Sequence, residues 1–491
     1  MIRRAGPILK DRVIQTLSAR FKSRVALDSL DVSLLHGLEV SGDGLRIDPP
    51  ADVVAAGATQ PLISIGHFSF HAGILGLFVE PMHVGAVHVT GLDINIPPRE
   101  MRRPDSAKAA TYRGKAKILV DQIVCDNSHL IIGTAKPDKS PKDFELKHIE
   151  LHDVGPTAPW RYDAMLINAI PRGQIHATGT FGPWQTESPG ESSVTGHYTF
   201  DHADLNTIKG IGGILSSVGD FQGQLDRIVV DGTTETPDFS LDSANHPVPL
   251  QTRFHAIVDG ISGDTYLESI SAKLRNSSFT THGSVINQKD RGRTIALDID
   301  VPQGRIQDFL DLAVNTVPPF LTGTIGTKAR LEIRPGKEKV PDRISLQGNF
   351  TVQSIHFSNP GVQDKVDMMS LRAQGEPEKA RPGAKDVNSR MHGTFSLNHG
   401  EMQFSNLTYV LPGARVILDG VYSLDGQQFD FHGKVQTDVS LSRMVDSRVL
   451  SFLLRAASPF FKRPGGGAEI PVRISGTKSE PKFGLDVLRG H

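Results

Sequence analysis

The sequence predicts a mainly β protein: an elongated, curled antiparallel β-sheet groove built of repeated hairpins, with a short N-terminal helix and a C-terminal helix. Three observations carry this expectation. Between residues 25 and 440 apolar residues recur mostly at every second position, the period of a strand with one dry and one wet face. The 48 Gly and 31 Pro follow no collagen period and read as punctuation between many short elements. Helix-period stretches are few: the N-terminus, 203–217, 303–314 and 440–456.

The first element, over 7–22, carries one helical stripe of Leu9, Val13, Leu17 and Phe21 with Ile14 beside it. Pro7 fits the first turn of a helix. Arg3, Arg4, Lys10, Arg12, Arg20, Lys22 and Arg24 surround the stripe. Such a helix can lie on a membrane surface, where the first six of these cations would meet anionic lipid, or it can cap one end of a sheet. Strand alternation starts at once: Leu30, Val32 and Leu34 point one way, and Ser29, Asp31 and Ser33 the other. Gly37, Gly42 and Gly44 then break the chain.

Further along, Phe254, Ala256 and Val258 oppose Arg253, His255 and Asp259. Ile295, Leu297, Ile299 and Val301 share a face against Asp298 and Asp300. Ile325, Ala329, Leu331 and Ile333 oppose Lys328, Arg330, Glu332 and Arg334. These eleven apolar residues are the expected lining of a hydrophobic groove. A loose strand–turn–strand plan recurs at 219–241, 268–285 and 404–424, which suggests hairpins adding to one growing sheet. The stretches 97–115, 134–142, 335–342 and 375–389, rich in Pro, Gly and charge, are expected as surface insertions. The resulting division is a basic amphipathic helix (1–24), an N-terminal β-groove region (25–240), a middle β-repeat region (241–375), a linker or surface loop (376–390) and a C-terminal region (391–491).

A many-stranded sheet with one dry face must bury that face by closing as a barrel or sandwich, or by curling into a trough. With aromatics at 6%, the dry face is expected to be mainly aliphatic and suited to hydrocarbon chains, with charge left at the rim.

Composition removes several function classes. A formal net charge of -1 over 491 residues gives no global field that would draw the chain to nucleic acid. The basic patches at 102–104 and 461–464 have no recognisable nucleic-acid fold around them. Cys125 is the single cysteine, so there is no internal disulfide framework and no Cys-rich zinc site; its strand-like setting suits a small buried residue better than a nucleophile. No run reaches the roughly 18 apolar residues of a spanning helix, and the charged N-terminus is not a signal peptide.

Motifs of chemistry are weak. GIGG at 210–213 lacks the full dinucleotide fingerprint and reads as a loop. Lys328 in GTIGTK belongs to an alternating strand. His148, Glu150 and His152 lie on one strand face and could approach a metal, but a solvated face is the simpler reading. No GxSxG or HExxH occurs, and nothing assembles a catalytic constellation. The expectation is a non-enzymatic protein with no cofactor and no metal.

Two regions resemble AsmA-like proteins, the group that also includes TamB-like and YhdP-like proteins. The first comprises Gly37-Leu38-Glu39-Val40 and the alternating set Val87, Val89, Gly91-Leu92 and Ile94; the second comprises Ile470-Pro471-Val472, Ser475-Gly476-Thr477 and Pro481-Lys482-Phe483. The likeness covers roughly 20–100 and 391–488, making 391–491 an AsmA-like C-terminal region, and the middle shares only the repeat style. It implies a bridge-like lipid carrier of diderm bacteria, anchored in the inner membrane and lying mostly in the periplasm. The implied role is phospholipid transport between membranes or outer-membrane homeostasis, with phospholipid or another acyl-chain lipid and the inner membrane as partners, and no nucleic acid. An alternative role is a structural or assembly factor for outer-membrane protein biogenesis. Members usually carry a transmembrane helix ahead of the region matching 1–24; here the expectation is a tether in a segment upstream of Met1, the start having been assigned too far downstream, with a soluble paralogue as the alternative.

Overall fold

The computed structural model describes Lys10–Asp486 apart from residues 12, 16, 19–22, 34–37, 50, 56–58, 73–81, 98–117, 134–140, 156, 184, 186–187, 243, 245, 261, 289–291, 315–316, 337, 339, 385–386, 424–427, 446–460, 462, 464–465 and 478–479. Strands dominate and form a 25-stranded sheet. The chain parts into two compact units, unit 1 holding 1–208, 214–234 and 258–262, and unit 2 holding 209–213, 235–257 and 263–491.

In unit 1, β1 (Val25–Ala26) and β2 (Ser29–Ser33) both pair with β3 (Leu38–Ile47). The sheet continues antiparallel through β4 (Ile63–Ala72) and β5 (Met82–Ile96). Then β6 (Ile118–Ile132) joins β5 in parallel, with Met82 opposite Ile118 and Ile96 opposite Ile132. This is a departure from the expected all-antiparallel plan. A parallel pair needs a crossover of a dozen or more residues, and the span 97–117 between these strands has that length. Antiparallel pairing resumes through β7 (Lys142–Val154), β8 (Trp160–Ala169), β9 (Arg172–Phe181) and β10 (Ser193–Asp204) to β12 (Ile214–Gln224).

In unit 2 the short β11 (Ile211–Gly212) pairs with the end of β13 (Arg227–Leu241). Both β13 and β14 (Val248–Val258) have residues in each unit. From there an antiparallel meander runs through β15 (Thr265–Leu274), β16 (Ser277–Gln288), β17 (Gly292–Arg305), β18 (Leu321–Ile333), β19 (Ile344–Phe357) and β20 (Arg390–Asn398). It continues through β21 (Glu401–Leu411), β22 (Ala414–Ser423), β23 (Phe429–Thr437), β24 (Ala468–Gly476) and β25 (Pro481–Leu485). Among the described residues no pairing returns β25 to an earlier strand, so the sheet stays unclosed.

Among the described residues helix is confined to short pieces. Lys10, Asp11, Val13–Gln15, Leu17 and Ser18 are helical, as the N-terminal stripe predicts. Beyond them come α1 (Ala51–Ala55), α2 (Ile306–Ala313), α3 (Val340–Arg343) and α4 (Pro360–Ala373). The helix expected over 303–314 is therefore present as α2. The C-terminal helix expected over 440–456 lies largely outside the described residues; its start is a 3₁₀ turn at Leu441–Arg443.

The helix expected over 203–217 is not formed. That stretch is the end of β10, a 3₁₀ turn at Leu205–Thr207, β11 and the start of β12. Asp204 caps the turn by accepting from the Asn206 N–H, and Gly210 and Gly213 adopt φ of +101° and +118°, a region that L side chains avoid. Conversely, α4 is a helix that apolar periodicity missed. Its inward stripe is Gln363, Asp367, Ser370 and Ala373, three of them polar, so no hydrophobic period marks it. The signal that was present is Asn359 as N-cap ahead of Pro360 in the first turn.

The same polar stripe explains why 375–389 is not simply a surface insertion. Gln363 Nε2 and the Val387 N–H both donate to Asp367 Oδ1, at 2.9 and 3.1 Å, and the Gly383 N–H donates to Asp364 Oδ1 at 3.0 Å. Pro377, Ala380 and Ser389 are buried as a result.

In unit 2 the core lies along one end of the strands. Val301, Leu321, Val352, Ile355, Leu411, Ala414 and Ala468 are buried there, beside α2 and α4. Asp308 of α2 ties the helix down by accepting from Ser277 Oγ at 2.7 Å and the Asn276 N–H at 3.2 Å. Toward the other end of the strands most of the same apolar face is only half-buried, Leu397 being the buried exception among the residues of its row.

Candidate functional site

The residues proposed from sequence as a lining can be placed by strand register. Ile295, Leu297 and Ile299 on β17 stand directly opposite Ile333, Leu331 and Ala329 on β18, while Val301 faces Thr327. A register shift between Val301 and Gly304 brings Ile325 opposite Gly304. Phe254, Ala256 and Val258 occupy the dry side of β14, Val258 lying in unit 1. The wet sides fix the orientation: His255 reaches Glu268 on β15 at 3.4 Å, and His282 on β16 reaches Asp298 on β17 at 3.8 Å.

Register extends the surface well beyond those strands. One row runs Gly283, Leu297, Leu331, Leu346, Leu397, Met402, Tyr422 and Phe429 across β16 to β23. The neighbouring row runs Thr281, Ile299, Ala329, Gly348, Phe395, Phe404, Gly420, Phe431 and Ile474 across β16 to β24. The aliphatic expectation fits β17 and β18; from β19 to β23 the rings of Phe350, Phe395, Phe404, Tyr422, Phe429 and Phe431 join the aliphatic residues. Ring centroids of Phe350 and Phe404 lie 6.2 Å apart, and those of Phe404 and Phe431 lie 6.0 Å apart. Each of these pairs comes from strands two apart, about 9.6 Å at the backbone, so the rings lean toward one another over the strand between. For Phe404 and Phe431 the residue directly between is Gly420, whose missing side chain makes that approach possible. Overall composition hid this because the rings are concentrated on one face opposite glycines.

Unit 1 carries its own row: Val40, Phe70, Val87, Ile123, Leu151, Tyr162, Gly179, Gly196 and Phe221 across β3 to β12. Gly196 lies under Phe221 and the Tyr162 hydroxyl, and that hydroxyl donates to Thr195 O at 3.1 Å. Cys125 joins this side between Val89 and Ile149, and burial pushes its thiol up, which keeps it a packing residue.

No family model, curated protein or solved structure matches the chain. The site is therefore read from its own geometry.

The wet faces carry the charge in paired form. In unit 1, histidine rings sit against carboxylates on neighbouring strands: His67 with Asp43 at 2.7 Å, His83 with Asp121 at 2.9 Å, His176 with Asp163 at 2.8 Å and His197 with Asp220 at 2.9 Å. His148, Glu150 and His152 share one face as expected, but their atoms are taken up by neighbours. His148 Nδ1 meets Asp126 at 2.7 Å, His152 Nε2 meets Glu150 at 2.9 Å, and Gln122 donates to Glu150. Among the described residues no group of three or more His, Cys, Asp or Glu could hold a metal. In unit 2 an open depression of about 660 Å³ lies on the wet face, lined by His282, Asp298, Asp300, Lys328, Arg330 and Gln347 among others. Its cations are already engaged, Lys328 with Asp300 at 3.1 Å and Arg330 with Asp298 at 3.5 Å, so it offers no unbalanced charge to a ligand.

Of the six cations proposed for a membrane surface, Lys10 is described, and its Nζ donates to the Asp28 carbonyl at 2.8 Å. Arg3, Arg4, Arg12, Arg20 and Lys22 lie outside the described residues. Val13, Ile14 and Leu17 of the stripe are half-buried.

One wet-face pair, His148 with Asp126, carries a pH signature. The hydrogen bond with Asp126 raises the His148 imidazole above its ordinary value. A raised histidine stabilises the fold fully below its unfolded value, and the contribution is lost as pH rises through the folded value. Acidification from pH 8 to 6 should therefore strengthen this pair, by less than about 1 kcal/mol because both groups are partly exposed. Histidine NMR should show the His148 titration moving back down in Asp126→Asn; an unmoved midpoint would remove the pair from the account.

Proposed function

We propose that the protein is a non-enzymatic lipid-binding protein, its apolar sheet face holding acyl chains and its charged face meeting water. The observation that carries this reading is the apolar surface across β16 to β24, whose two central rows carry no formal charge and are half-exposed along much of their length. An apolar face of this extent needs an occupant. Acyl chains supply about 0.8 kcal/mol per buried methylene and ask for no polar partner, so head-group selectivity should be weak. With the AsmA-like resemblance, this supports a bridge-like role in the bacterial envelope: periplasmic, tethered to the inner membrane, and serving phospholipid transport or outer-membrane homeostasis.

The alternative, an assembly factor that pairs client strands on a free sheet edge, finds less support. Among the described residues β25 pairs only with β24, but it is five residues long, begins with Pro481 and carries Lys482. Short strands with proline and lysine are poor templates for strand addition.

Native mass spectrometry and lipid extraction of the full chain purified from a diderm bacterium test the proposal. Co-purified phospholipid in roughly constant ratio is expected. A lipid-free protein that also fails to take up fluorescent phospholipid from vesicles would overturn it.

A further inference from the structure

Among the described residues the most exposed large apolar side chain is Val317, 77% exposed, in the turn between α2 and β18. Three residues on, Phe320 is 45% exposed, and Val362 in the first turn of α4 is 40% exposed. Ser358 fastens the two loops together: its N–H donates to Phe320 O at 3.0 Å, and its hydroxyl donates to Pro319 O. Residues 317–320 and 358–363, Val-Pro-Pro-Phe and Ser-Asn-Pro-Gly-Val-Gln, contain no formal charge. With 22% of the chain charged, a surface of this size would ordinarily carry about two.

We infer that this double-loop tip dips into the surface of a lipid bilayer. The backbone chemistry favours lipid over a protein partner. Entering hydrocarbon is costly for any N–H or C=O left without a partner. Pro318, Pro319 and Pro360 have no N–H to satisfy. The carbonyls of Pro319 and Phe320 are held by Ser358, and the Val362 and Gln363 N–H groups donate to the Asn359 carbonyl, each at 3.0 Å. Asn359 Oδ1 also accepts from the Val362 N–H at 3.2 Å. The tip thus presents three large apolar side chains on a backbone that lacks three N–H groups and has six further polar groups occupied. The first charges follow in the helix itself: Asp364, which accepts from the Gly383 N–H, and the exposed Lys365 one turn beyond Val362. Place supports the same occupant. Leu321 and Phe357, at the start of β18 and the end of β19, adjoin the tip, so it stands where the apolar sheet face is most deeply covered.

This inference goes beyond acyl-chain binding by the sheet, and its test separates the two. The full chain carrying Phe320→Trp is mixed with phosphatidylcholine vesicles at high salt, which suppresses attraction by basic segments. The wild-type chain, with Trp160 and Trp184 alone, gives the baseline. A blue shift and quenching by acyl-brominated lipid are expected for the variant beyond that baseline. Val317→Asp/Phe320→Asp should weaken vesicle binding about tenfold or more, since burial of each side chain is worth at least that factor. Its co-purified lipid content should stay at the wild-type level, which separates tip from sheet face. No quenching at position 320 in a chain that still carries lipid would overturn the tip while leaving the sheet face standing. A shift without vesicles that grows with protein concentration would assign the tip to a second copy and overturn the inference equally.

Discussion

Leu297→Asp/Leu331→Asp should strip the protein of lipid. The two leucines face each other across β17 and β18, in the row that leads from Gly283 to Phe429. Two carboxylates placed there meet only aliphatic neighbours, and an unpartnered polar group in such surroundings costs on the order of 2 kcal/mol or more. The lost leucine contacts remove roughly 1.5–3 kcal/mol each. Lipid occupancy of the purified variant should fall at least tenfold, and its melting temperature should drop. Asn349→Asp, on the wet face of the adjoining β19, controls for added charge and should load normally. A folded double variant with wild-type lipid content would show that the apolar face is not the binding surface.

Gly420→Val tests the aromatic part of the same surface. A side-chain carbon at Gly420 would fall 2.2 Å from the Asp430 carbonyl oxygen and 2.7 Å from the Phe431 ring. Neither can yield cheaply: the first is backbone of the adjoining strand, and the second is a ring already leaning toward Phe404. Overpacking of this kind costs about 1–3 kcal/mol. Urea denaturation should show a loss in that range. Removal of the ring that blocks the space, in Gly420→Val/Phe431→Leu, should recover only part of it, because the backbone contact remains. An unchanged midpoint for Gly420→Val would mean that the strands are free to splay, and that the ring packing is not fixed.

The strands were readable from sequence because their side-chain period is two and survives in each isolated stretch. Asp298 and Asp300 beside Ile295, Leu297 and Ile299 are enough to assign one strand and both of its faces. What one strand cannot state is which strand comes next to it. The rows through Phe395, Phe404 and Phe431 depend on register over long separations, so the aromatic floor was invisible to composition. The parallel joint between β5 and β6 was hidden for the same reason. Two errors had local causes. Glycines broke the helical pattern of 203–217, and the inward polar stripe of α4 concealed a real helix. The histidine–carboxylate pairs follow the same rule as the aromatic rows: His67 and Asp43, 24 residues apart, become neighbours only through pairing.

The parallel joint also sets a minimum length of tether. Because Ile96 lies level with Ile132 and Met82 with Ile118, the chain that leaves β5 must travel back along the whole strand before β6 can start. From Ile96 to the level of Met82 is about 46 Å at about 3.3 Å per residue. The 21 residues of 97–117 can reach about 70 Å when stretched, so the connection has slack, but a loop cut to fewer than about 14 residues would have none. Below that reach the next strand could only turn back as a hairpin, reversing its direction and, with it, the direction of every strand that follows in unit 1. Trimming this stretch as if it were dispensable would therefore rewire the sheet rather than shorten a loop.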